Sequence, residues 1–95
     1  MDLKENVKLN IQELAKKHEL KKVLLFGSRA RGDNADRSDI DLAVIGDNSL
    51  FFAEDLENSL ETLLPFDVVD LGEPIGKELR KNIEREGIVL YERVG

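Results

Sequence analysis

The stretch Gly27-Ser28-Arg29-Ala30-Arg31-Gly32-Asp33-Asn34-Ala35-Asp36-Arg37-Ser38-Asp39-Ile40-Asp41-Leu42 decides how this chain is read, because an apolar strand enters it and another leaves it. Upstream, Val23-Leu24-Leu25-Phe26 is too short for a buried helix and is closed by Gly27, the pattern of a strand buried on both faces. Residues 27–38 hold two Gly, two Ser, three Arg, one Asn and two Asp, so they predict a loop or short helix. The second strand is predicted over Asp39–Ile45 and ends at Gly46-Asp47-Asn48.

Both ends of that stretch carry chemistry. A strand running into Gly27-Ser28 offers backbone N–H groups and a hydroxyl to an anion, and glycine lets a phosphate approach the main chain. On its own the dipeptide is usually just a turn. At the other end, strand residues two apart share a face, so Asp39 and Asp41 stand side by side while Ile40, Leu42 and Val44 enter the opposite face. Neighbouring carboxylates repel and Asp is a poor strand former. A divalent cation offsets that repulsion, and Mg²⁺ prefers such hard oxygen ligands. A solvated strand edge is the plainer account of Asp-x-Asp taken alone.

Further along, Phe66-Asp67-Val68-Val69-Asp70-Leu71 predicts a third strand. A carboxylate flanked by apolar residues is costly unless paired or bound to metal, which singles out Asp67. Asp70 has the opposite parity and lies close to Gly72, where exposure is a sufficient explanation. Three strand carboxylates beside a phosphate-binding turn suit two-metal phosphoryl or nucleotidyl transfer.

The remaining segments supply helices. Leu3, Val7, Ile11, Leu14 and Ala15 mark one face of a helix over residues 2–18. Ser49 is the expected N-cap of a helix over 50–64, with Phe52, Leu56, Leu60 and Leu63 or Leu64 inward and Pro65 as its stop. Phe51 and Phe52 together are expected to seal that helix, and the acids at 54, 55, 57 and 61 to form a solvated surface. A helix over 75–86 turns Ile75, Leu79 and Ile83 inward, ends at Gly87, and gives way to a last strand, Ile88-Val89-Leu90-Tyr91. The expected architecture is therefore α/β, a small sheet flanked by helices.

Composition bounds the function. At 95 residues, the chain is expected to form a single domain over 1–95. The longest apolar runs hold four or five residues, so no segment spans a bilayer; Met1-Asp2-Leu3-Lys4-Glu5 lacks a secretory h-region. A cytoplasmic location is the plain expectation. With no cysteine, thiol nucleophiles and zinc–thiolate sites are absent. Fourteen Lys and Arg against twenty Asp and Glu, a net charge of −6, argue against an extended nucleic-acid groove. His18, alone at a helix end, is assigned a dipole contact and no chemistry.

In order along the chain stand Gly27-Ser28, ten intervening residues, Asp39-Ile40-Asp41-Leu42, and the apolar-flanked Asp67. This combination resembles the DNA polymerase β nucleotidyltransferase superfamily. The strings GSRARGDNADRSDIDLAV, LPFDVVDL and EGIVLYE are similar to its minimal nucleotidyltransferase (MNT) branch, over about Val23 to Tyr91. The resemblance implies a mixed sheet flanked by helices, with Ser28 and nearby amides on the nucleotide phosphates. It also implies that Asp39 and Asp41 bind two Mg²⁺ ions, and that Asp67 completes the inner metal and assists deprotonation of the attacking hydroxyl. Gly27, Arg29 and Arg31 join the nucleotide-binding set; either one of the two arginines neutralises the triphosphate or leaving pyrophosphate, or both simply solvate the loop and pair with Asp33 or Asp36.

The resemblance further implies a protein adenylyltransferase. It would move AMP from ATP to a hydroxyl, the best candidate being a tyrosine on a helical HEPN toxin encoded beside it, and so act as antitoxin in a hetero-oligomer. Two alternatives stand next to this: a non-catalytic nucleotide-binding partner that neutralises a HEPN protein by contact, or a subunit acting on a small-molecule acceptor.

Overall fold

The computed structural model describes residues Met1–Val94. Elements follow in the order α1 (Glu5–Lys17), β1 (Lys22–Phe26), α2 (Gly27–Arg31), β2 (Ile40–Ile45), α3 (Ser49–Glu57), β3 (Phe66–Asp70), α4 (Lys77–Glu86) and β4 (Ile88–Glu92). The strands form one sheet in the order β3-β2-β1-β4. β1 runs antiparallel to β2 and β4, and β2 runs parallel to β3, so the sheet is mixed as expected. The two central strands are the two most apolar segments of the sequence.

Alternation along these strands sorts the side chains into two apolar layers. Val23, Leu25, Leu42 and Val44 project to one side and pack under α1 and α3, against Val7, Ile11, Phe52 and Leu56. Phe26 and Ala43 project to the other and meet Ile83 of α4, with Leu24, Val69 and Leu79 around them. Phe52, Ile11 and Leu42 are completely buried, each worth about 1.5–3 kcal/mol on transfer from water.

The third helix departs from the sequence reading. It ends at Glu57 rather than Leu64, leaving Leu60 and Leu63 93% and 96% exposed. The cause is local: polar side chains compete with the helix for backbone and neighbours. Ser59 Oγ accepts the Glu61 N–H at 3.3 Å and Asn10 Nδ2 at 2.6 Å, and Thr62 Oγ1 accepts the Leu64 N–H at 3.1 Å. At the other end Asn48, not Ser49, is the N-cap, and its amide donates to His18 O at 3.0 Å instead of capping. Phe52 is sealed in the core, whereas Phe51 is 59% exposed. Nor is the acidic surface merely solvated. Asp55 Oδ2 accepts Lys17 Nζ at 3.0 Å and lies 2.6 Å from His18 Nε2, fastening α3 to the end of α1.

Candidate active site

One end of the sheet gathers the candidate residues: β1 finishes there, and β2 and β3 begin there. Phe26 lies opposite Asp41 on the antiparallel side, and Asp41 lies beside Asp67 on the parallel side. Asp39, one residue before β2, shares their parity. The three carboxylates therefore stand on the α4 side of the sheet, beyond the end of its apolar patch. Asp41 is half-buried, while Asp39 and Asp67 are exposed.

That exposure corrects one premise. Asp67 is not a carboxylate trapped in an apolar interior, because β3 is an edge strand whose residues are all partly or fully exposed. Its place in the site comes from register with Asp41 instead. Asp70 falls on the opposite face, as parity predicts, but it is structural rather than idle. Its Oδ2 accepts the Ser49 hydroxyl and its Oδ1 the Gly72 N–H, both at 2.7 Å.

Gly27 turns the chain from β1 into α2 with φ +74°, a conformation that strains any residue bearing a Cβ. A Cβ there would also collide with Asp41 Oδ2, so glycine keeps that carboxylate in place. Ser28 follows in the first turn of α2, and its carbonyl accepts the Gly32 and Asp33 N–H groups at 2.8 and 3.1 Å. Gly32 closes the helix in the left-handed conformation at φ +85°.

The two arginines part company here. Arg29 is 5% exposed and its guanidinium is consumed by the backbone. Nε donates to Ser38 O at 3.0 Å, Nη2 to Asp36 O at 2.9 Å and Nη1 to Asp2 O at 3.2 Å. The expectation that Arg29 binds nucleotide is corrected accordingly: it ties the 32–39 loop and the N-terminal segment to α2, because a buried guanidinium has to satisfy its donors. Arg31, half-exposed, points to the acid side. Its Nε donates to Asp33 Oδ2 at 3.0 Å and its Nη1 to Glu86 Oε2 of α4.

Electrostatics single out Asp41. Desolvation first, then the Asp67 and Asp39 carboxylates, push its carboxyl above the usual value, and the Arg31 charge pulls it partly back. A half-buried carboxylate facing two others is a group in need of positive charge. The donor set is entirely hard oxygen, which fits Mg²⁺ and not a soft metal. Among the described residues no three acidic, His or Cys side chains close into a metal cage. A hollow of about 630 Å³ lies elsewhere, between Leu3 and Val7 of the N-terminal segment and Leu60–Leu64, and none of the three acids lines it.

Glu86 was not foreseen from the sequence. The signal was nonetheless there: Ile75, Leu79, Ile83 and Glu86 follow a four-four-three spacing, which places a carboxylate on the inner face of α4.

Known proteins resemble this chain in sequence and fold. The chain is 37% identical over 81 residues to a candidate protein adenylyltransferase of Methanocaldococcus jannaschii, covering 76% of this chain and 79% of that protein. Its fold matches a chain from the crystal structure of a toxin–antitoxin with AMP-PNP, with TM-score 0.71 and 26% identity, over 95% of this chain and 75% of that one. A structure described as a candidate minimal nucleotidyltransferase matches with TM-score 0.65 and 27% identity, over 85% of this chain and 86% of that one. The family model described as "Polymerase beta, Nucleotidyltransferase" spans residues 9–94, which include Gly27-Ser28, Asp39, Asp41 and Asp67. On that match, and on the carboxylate face it contains, the chain belongs to the polymerase beta nucleotidyltransferase family.

Proposed function

We propose that the protein is a cytoplasmic protein adenylyltransferase that moves AMP from ATP to a hydroxyl on a HEPN-type partner, a tyrosine being the favoured acceptor, and so restrains that partner. The observation that carries the reading is the register Phe26–Asp41–Asp67, which sets two strand carboxylates next to the Gly27 turn. The M. jannaschii relative's name and the AMP-PNP in the toxin–antitoxin structure support the nucleotide and the class of acceptor.

In this reading the Gly27–Ser28 turn and Arg31 hold the triphosphate, with Asp39, Asp41 and Asp67 as ligands for two Mg²⁺ ions. When bound, the metal supplies charge neutralisation at the phosphates and acidifies the acceptor hydroxyl. The acceptor oxygen attacks the α-phosphorus, forming a P–O bond. The bond from that phosphorus to the bridging oxygen breaks, and pyrophosphate leaves with the electron pair. Asp67 is exposed at the sheet edge, where a protein acceptor has access, and it takes the hydroxyl proton. Asp41, set deeper and closest to the Gly27 backbone, orients the phosphate end.

The test is isotopic. With Mg²⁺ and the adjacent gene's product, ATP labelled at the α-phosphate should leave label on that product, and γ-labelled ATP should leave none. Label arriving from the γ-phosphate would make the protein a kinase and overturn the reading. A partner neutralised without any label would favour restraint by contact.

A further inference from the structure

We infer that Glu86 is a positioning residue for nucleotide binding: it holds the Arg31 guanidinium in place beside the carboxylate face, ready for a triphosphate. The inference rests on the reading of Gly27, Ser28 and Arg31 as the phosphate-binding edge.

Glu86 occupies an unusual place for a carboxylate. It closes the inner face of α4, one turn after Ile83, which is 3% exposed against Phe26 and Ala43. The Glu86 side chain is itself only 12% exposed, although α4 is otherwise dominated by charged residues that face water. A nearly buried carboxylate needs a cationic partner, and Arg31 Nη1 is that partner. The Arg31 guanidinium in turn holds the Glu86 carboxyl below its ordinary value. Arg85 adds little, at 3.5 Å and 71% exposed.

Seen from Arg31, the arrangement is a two-point grip. Asp33 takes Nε and Glu86 takes Nη1, which fixes the plane of the guanidinium and leaves Nη2 with no partner among the described residues. A free arginine loses rotamer entropy when it captures a phosphate, and a gripped one has already lost it. Asp33 alone, on the same loop and 62% exposed, would let the side chain swing; Glu86 ties it to a second element. The charge of Arg31 already reaches Asp41, so the gripped guanidinium stands within electrostatic range of the site. The opposite role is also physically definite. If Glu86 merely neutralised Arg31, its removal would free the guanidinium and tighten anion binding.

The experiment is a double-mutant cycle on the full chain, reading MgATP affinity by titration calorimetry and melting temperature in parallel. Parent, Arg31→Ala, Glu86→Ala and the double variant are compared, with Glu86→Gln as the conservative control that retains an acceptor and the shape. Arg31→Ala and Glu86→Ala should each weaken MgATP by about tenfold, the worth of one charge-assisted hydrogen bond. The double variant should be no weaker than Arg31→Ala, and Glu86→Gln should recover part of the loss. In label transfer, the Glu86→Ala defect should appear in KM for ATP rather than in kcat. Unchanged or tighter binding in Glu86→Ala, or a second full loss in the double variant, overturns the inference while leaving the nucleotide site standing. Should Glu86→Ala fail to fold, Glu86→Gln decides by the same cycle. A parent that does not bind MgATP brings down the phosphate-binding reading itself, and the inference with it.

Discussion

The two faces of the sheet are made by the same strands and end in opposite conditions. Toward α1 and α3, Leu25, Leu42, Val44 and Phe52 are sealed from water, and polar contacts such as Asp55 with Lys17 and His18 only brace the rim. Toward α4, a smaller apolar patch around Phe26, Ala43 and Ile83 covers part of the sheet and then stops. Beyond its end lie Asp39, Asp41 and Asp67, where partial burial first, and then the neighbouring carboxylates, push the Asp41 carboxyl up. One face maximises burial; the other leaves a charged strip uncovered. The difference teaches that period-2 alternation lets one strand serve both faces: Ile40, Leu42 and Val44 of β2 are sealed on one side, while on the other Ala43 ends the apolar patch and Asp41 follows it as an acid.

Breaking the sealed face should have the largest effect on folding. Phe52→Ala removes a completely buried ring and is expected to cost about 3–5 kcal/mol, seen as a large drop in urea or thermal midpoint. Gly27→Ala strikes the seam between the faces. Its φ of +74° and the collision with Asp41 predict a loss of about 1–3 kcal/mol, together with weakened MgATP binding because the Asp41 carboxylate is displaced.

On the open face the sign should reverse. Asp39→Asn with Asp41→Asn relieves like-charge repulsion and is expected to stabilise the metal-free protein by roughly 0.2–1 kcal/mol. The same pair of changes should remove any rise in melting temperature produced by Mg²⁺ with ATP. A metal-dependent shift that survives in the double variant would dissolve the contrast between the faces.

The smallest effect concerns the rim. The His18 contact first, then Lys17, hold the Asp55 carboxyl below its ordinary value of 3.8. A depressed carboxyl stabilises the fold above that value and loses its contribution as pH falls through the lower folded value. Asp55→Asn should therefore lower the melting temperature slightly at pH 7, with the deficit closing in acid. Melting curves for both proteins across that range check it.

How much of this was legible in advance follows from what each signal depends on. The strand parity of Asp39, Asp41, Asp67 and Asp70 is a property of backbone geometry, so it was readable from spacing alone and places the acids on the faces expected. The end of α3 was not readable, because Leu60, Leu63 and Leu64 continue the helical period while Ser59 and Thr62 form side-chain bonds that terminate it. The parting of Arg29 from Arg31 was equally hidden. Two like residues on one short helix differ in which carbonyls and carboxylates lie within reach, and two of those, on Asp2 and Glu86, are 27 and 55 residues away in sequence. Edge position was the other missing fact: without strand order, Asp67 reads as a buried charge rather than an exposed one.

The central claim is that Asp39, Asp41 and Asp67 form a nucleotidyl-transfer site, and Asp67 with Asp70 tests it most directly, since one strand carries both to opposite faces. The measurement is transfer of label from α-labelled ATP to the adjacent gene's product, for the parent, Asp67→Asn and Asp70→Asn. Asp67→Asn should lose about 10²- to 10⁴-fold in rate while remaining folded. Asp70→Asn should keep transfer and lose about 1 kcal/mol of stability with its bonds to Ser49 and Gly72. Transfer abolished by Asp70→Asn but retained in Asp67→Asn would place the chemistry on the other face and contradict the account.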